Sequence, residues 1–82
     1  MKILKYVLSE VCSFELPVNS EVLTVASQGE NVCMWVRVSE CEITEARKFR
    51  VVMTGGSVNS DLKYLGTAFL GSLVLHVFED GV

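Results

Sequence analysis

The chain predicts an all-β domain, a small antiparallel sandwich or barrel of about seven short strands. Three observations carry that expectation. Apolar and polar residues alternate with a period of two along most of the chain. Gly, Asn, Ser and Pro interrupt the alternation at short, regular intervals, which is the spacing of sandwiches and barrels. No stretch of ten or more residues carries a convincing helical period. At 82 residues the chain makes one domain, spanning 1–82.

The elements follow in order. Ile3 to Leu8 reads as a first strand. Ser13 to Leu16 reads as a second, stopped by Pro17, which cannot donate to a ladder and marks a strand end or edge. Asn19-Ser20 makes a turn. Glu21 to Ser27 is a third strand, with Val22, Thr24 and Ala26 expected opposite Leu23 and Val25. Gln28-Gly29-Glu30-Asn31 is a hairpin turn, since Gly and Asn tolerate positive φ. Val32 to Val38 returns, with Val32, Met34, Val36 and Val38 on one face and Cys33, Trp35 and Arg37 on the other. Ser39 to Glu45 is a polar loop. Ala46 to Thr54 is a strand with Phe49, Val51 and Met53 pointing one way and Lys48, Arg50, Val52 and Thr54 the other. Gly55 to Asp61 is a loop, and Asp61-Leu62-Lys63 is compatible with one helical turn capped by Ser60. Leu62 to Leu70 and Leu73 to Glu79 pair around Gly71-Ser72, where Gly at the first central position suits a type II′ turn.

Composition narrows the function. A chain of this size buries only roughly 60–65% of the surface its unfolded form exposes. Half the residues are nevertheless hydrophobic and mean hydropathy is +0.41. Either the interior is filled very efficiently or a second apolar surface is hidden between subunits, and the expectation is a homo-oligomer. Net charge is −3 and the basic residues form no long run, which argues against duplex nucleic acid as a partner. The local exception is Arg47-Lys48-Phe49-Arg50. No run of 18 apolar residues is present, so no membrane-spanning helix is expected. The N-terminal apolar run is broken by Lys5, Ser9 and Glu10 and no cleavage pattern follows, which points to the cytoplasm. Cys12, Cys33 and Cys41 are odd in number and widely spaced, without a CxxC pair. They read as reduced thiols, with no metal site and no cofactor expected.

Beyond composition, Met34-Trp35-Val36, Arg47-Lys48-Phe49-Arg50, Tyr64-Leu65-Gly66-Thr67 and Gly71-Ser72-Leu73-Val74-Leu75-His76-Val77-Phe78-Glu79 form a spaced pattern. That pattern resembles a family of small, uncharacterised bacteriophage proteins and covers roughly the last two-thirds of the chain. Two departures stand out: Thr54-Gly55-Gly56 where the family usually has Gly-Thr-Gly, and Leu75 where an aromatic is common. The resemblance implies phage origin, and hence a bacterial host cytoplasm, but no activity.

Catalysis is not expected. His76 lacks a positioned nucleophile: Ser72 shares its face but lies about 7 Å away or more along the sheet. There is no nucleophile elbow and no phosphate-binding loop of the Walker type. A binding pocket is the better reading. Gly55, Gly56 and Ser57 can present backbone N–H groups to an anion. Arg47 or Arg50 can grip a phosphate. Trp35 or Tyr64 can stack on a base. Thr54, Thr67 and His76 supply polar contacts. Each also has an ordinary structural reading: a turn for the glycines, core for Trp35, a strand position for Tyr64 and His76. The resulting expectation is a non-catalytic phage protein that sequesters a small nucleotide-type immune signal. The alternatives are a protein-interaction module that binds a host or phage protein, a host defence protein among them, or a phage structural or assembly protein acting through self-association.

Overall fold

The computed structural model describes residues 1–80 and has seven antiparallel strands. They are β1 (Lys2–Leu8), β2 (Val11–Pro17), β3 (Glu21–Gln28), β4 (Asn31–Val38), β5 (Thr44–Met53), β6 (Lys63–Leu70) and β7 (Leu73–Glu79). No helix occurs among the described residues. The segment expected as a helical turn is a tight turn closed by Leu62 N–H donating to Asn59 O. Strands β1-β4-β3 form one sheet and β2-β5-β7-β6 the other, so the molecule is a two-layer sandwich.

Both hairpins form where turn chemistry placed them. Gln28 pairs with Asn31 and Leu70 with Leu73. Gly29 and Gly71 take φ near +60°, and no other residue of either turn is left-handed, which matches a type II′ turn. Asn19 is the only non-glycine residue at positive φ among those described, at 71°. Asn tolerates this conformation, and the turn is fixed by Ser20 Oγ–H donating to Pro17 O at 2.6 Å. Pro17 ends β2 at a sheet edge, where its missing N–H costs nothing.

The core lies between the layers. Val32, Met34, Val36 and Val38 all point inward from β4, as their alternation required. Facing them are Leu16, Phe49, Leu75 and Val77, with Phe49 fully buried. Truncating a buried Phe of this kind costs about 3–5 kcal/mol.

One expectation about strand faces fails, in β3, and β3 and β6 each carry a β-bulge. In β3 the register shifts between Val22 and Thr24, so Val22 and Val25 both face the core and Leu23 is the extra residue. In β6 it shifts between Tyr64 and Gly66, with Leu65 as the extra residue. A bulge reverses the parity of everything beyond it, which simple alternation cannot foresee. The two bulged strands are also the two that meet across the layers. Gly66 lies against Val25, and a Cβ on Gly66 would sit 3.1 Å from the Val25 Cβ. The missing side chain lets β6 close down on β3.

Candidate functional site

Alternation on β5, β7 and β6 projects one set of side chains away from the core. Cross-strand pairing orders that set into rows. Arg50 pairs with Phe78 and Phe78 with Tyr64; Val52 pairs with His76 and His76 with Thr67. Thr54 follows at the end of β5, its N–H donating to Val74 O at 3.2 Å. Five of the expected site residues, Arg50, Thr54, Tyr64, Thr67 and His76, therefore share the outer face of the four-stranded sheet.

Four of them form a continuous hydrogen-bonded row across β6, β7 and β5. Tyr64 OH bonds Thr67 Oγ1 at 2.5 Å, Thr67 Oγ1 bonds His76 Nδ1 at 3.0 Å, and His76 Nε2 bonds Thr54 Oγ1 at 2.8 Å. Both imidazole nitrogens are held by hydroxyls, which can donate or accept. The ring is thus fixed in orientation without a carboxylate or a nucleophilic thiol against it. Tyr64 also packs edge-on to Phe78, centroids 5.6 Å apart. Tyr64 and Phe69 remain 56% and 65% exposed on this face, leaving aromatic surface available to a ligand.

The β6 bulge is what brings Tyr64 here. Counting back from Thr67 with strict alternation would turn Tyr64 toward the core. The extra residue at Leu65 turns it outward instead, and Leu65 packs against the core.

The loop after β5 adjoins the face. Gly55 has φ +93°, a conformation that favours glycine. Gly56 is confined more tightly: a Cβ there would lie 2.6 Å from Val52 Cγ1. Its N–H donates to Met53 O at 2.8 Å, so that group closes the turn and is not presented to an anion as expected. Gly56 and Ser57 line a cleft of about 590 Å³ at the mouth of the sandwich. Its floor includes Leu8, Val32, Val51 and Leu75, and Arg50 stands at its rim. Arg50 is exposed and has no carboxylate partner among the described residues.

Trp35 and Arg47 do not join this site. Trp35 is half-buried on the outer face of the other sheet, paired with Lys5 and Thr24. Arg47 shares the inward parity of Phe49, three positions before Arg50 and on the opposite face of the sheet. Its Nε and Nη2 donate to the two Glu79 carboxylate oxygens at 2.6 and 2.8 Å, and Nη1 donates to Ser20 O at 2.7 Å. The Arg47 and Glu79 side chains are only 16% and 13% exposed. Hydrogen bonding to Glu79 pushes the Arg47 pKa up; burial opposes this, and the charges of Glu79 and Glu45 add to the rise. With its pKa raised, the Arg47 charge contributes its full share below the ordinary arginine value and loses it only as pH rises through the folded value. Arg47 is a structural cation that ties β7 to the start of β3. The sequence carried a signal for this, because Glu79 continues the inward parity of Leu75 and Val77.

Among the described residues no cluster of three or more His, Cys, Asp or Glu could hold a metal, and no helix is long and apolar enough to cross a membrane. Cys12 is half-buried, Cys33 buried and Cys41 exposed, all as free thiols.

Fold and site together define a small antiparallel β-sandwich with a polar row on one outer face and a cleft at one end. The chain belongs to the family described as domain of unknown function (DUF7352), whose profile matches residues 1–82. No curated protein and no solved structure matches it.

Proposed function

We propose that the protein is a non-catalytic binding protein that holds a small nucleotide-type ligand beside Arg50. The observation that carries this reading is the outer face itself. An unpaired guanidinium stands in one row with Phe78 and Tyr64, next to an imidazole and two hydroxyls held in fixed orientation. Arg50 supplies charge for a phosphate. The Tyr64 ring supplies a stacking surface for a base. Thr67, His76 and Thr54 offer donors and acceptors to its polar edge. The adjoining cleft gives the ligand an apolar wall, the usual setting for small-molecule sites.

Sequestration needs affinity and not turnover. In the phage setting that the sequence pattern resembles, the ligand is a nucleotide-type immune signal and the place of action is the host cytoplasm. This last step rests on analogy with other small phage antagonists.

Heat release and a thermal-shift panel test the proposal. Purified protein is washed, boiled and its supernatant chromatographed for nucleotides. Cyclic dinucleotides and ADP-ribose derivatives are then titrated. A true ligand at about 100 times its Kd stabilises the fold by roughly 2.7 kcal/mol. Arg50→Ala abolishes that shift, whereas Trp35→Ala, on the opposite outer face, leaves it intact. No released nucleotide and no shift across the panel reject the proposal.

A further inference from the structure

The two flanks of the sandwich are finished differently. On one, β3 and β6 close together through Gly66. On the other, β1 and β2 are both sheet edges with a single neighbour each. Apolar surface collects at that open flank: Ile3, Leu4, Val7 and Val11 are 62%, 42%, 49% and 61% exposed. Leu4 pairs with Val36 and so points inward, yet it stays 42% exposed. Tyr6 and Phe14 meet there, centroids 5.0 Å apart, and both stay half-buried. Long unprotected edges with apolar residues on both faces invite another strand.

We propose that two copies of the chain join through these open flanks, β1 of each pairing antiparallel with β2 of the other. Charge selects this partner. β1 carries Lys2 and Lys5 and no carboxylate; β2 carries Glu15 and no cation. Pairing β1 with a second β1 brings lysines together, and like charges across a strand pair are destabilising. Pairing β1 with β2 brings opposite charges together.

Geometry then fixes the register. A two-fold axis parallel to the strands keeps every residue at its own level along the strand. Within one copy Tyr6 and Phe14 face each other, so the chain reverses about Glu10. In the dimer Tyr6 therefore stands opposite Phe14 of the second copy, and Lys5 opposite Glu15. Leu4 faces Leu16 and Val7 faces Ser13. Inward residues meet inward ones, so both layers continue without a break from three strands of one copy into four of the other. The Lys5 ammonium donates to Gln28 at 2.6 Å and Glu15 accepts from Thr44 at 3.1 Å; both side chains are exposed and unpaired with any opposite charge among the described residues.

The test is sedimentation of the full chain across a concentration series, with circular dichroism as the folding control. The wild type sediments at twice the chain mass. Lys5→Glu or Glu15→Lys alone weakens the dimer by about tenfold or more, and the double swap Lys5→Glu/Glu15→Lys restores it. A second variant pair, Val7→Cys with Ser13→Cys in a Cys41→Ser background, forms an intermolecular disulfide on mild oxidation. Those two positions lie on opposite outer faces within one copy and cannot link internally. A wild type that stays monomeric throughout, a dimer indifferent to both charge reversals, or a double swap no better than either single variant overturns the proposal. So does failure of the cysteine pair to cross-link.

Discussion

The sealed and open flanks of this sandwich show how the same strand physics yields either a closed seam or an unfinished edge. At the sealed flank, the bulge in β6 places Gly66 against Val25, and Arg47 bridges Glu79 to Ser20. Contacts there are short, buried and made within one chain. At the open flank the inward residues Leu4, Tyr6 and Phe14 find partners on one side only. The lesson is that a small domain can close one seam for its own stability while the other stays unfinished, which is the edge the proposed second copy would complete.

Substitutions can sharpen or break that contrast. The largest effect is expected for Arg47→Ala, which strands Glu79 without its partner in a largely buried setting. Breaking such a pair costs about 3–5 kcal/mol, read from the shift in denaturant midpoint. Gly66→Val comes next, because the new side chain must enter the contact with Val25. Overpacking of this kind costs about 1–3 kcal/mol, and the loss should not depend on protein concentration. On the open flank, Leu4→Ser removes a side chain that is already 42% exposed, so it should cost the isolated chain no more than about 1 kcal/mol. It should nevertheless weaken self-association in the sedimentation series. Smallest in stability is His76→Gln, which keeps a polar side chain in the row and should move the melting midpoint little. Its effect should appear in ligand-induced thermal shift instead. If Leu4→Ser destabilised the dilute chain as strongly as Gly66→Val, the distinction between the flanks would fail.

Much of the fold was legible along the chain. Both hairpins were marked by Gly29 and Gly71, and the inward stripe of β4 by strict alternation. The site was legible in part. Given the turn at Gly71-Ser72, counting outward pairs Thr67 with His76, and parity on β5 separates Arg50 from Arg47. Arg47 and Arg50 are therefore not interchangeable, since they lie on opposite faces of β5. The place of Tyr64 was not legible, because the Leu65 bulge reverses its direction and nothing in local alternation announces a bulge. Trp35 was not legible either, since its distance from His76 depends on which strands share a sheet.

By itself, then, the sequence determined the strand count, the two glycine hairpin turns and the inward side of the unbulged strands β4 and β5. These follow from backbone preferences and side-chain alternation within a few residues. Tertiary structure decided the division into β1-β4-β3 and β2-β5-β7-β6, the two bulges, and which flank closes. Those depend on how distant strands fit against one another: a missing Cβ at Gly66 and a buried charge at Arg47 acquire meaning only when β3, β6 and β7 are brought into contact.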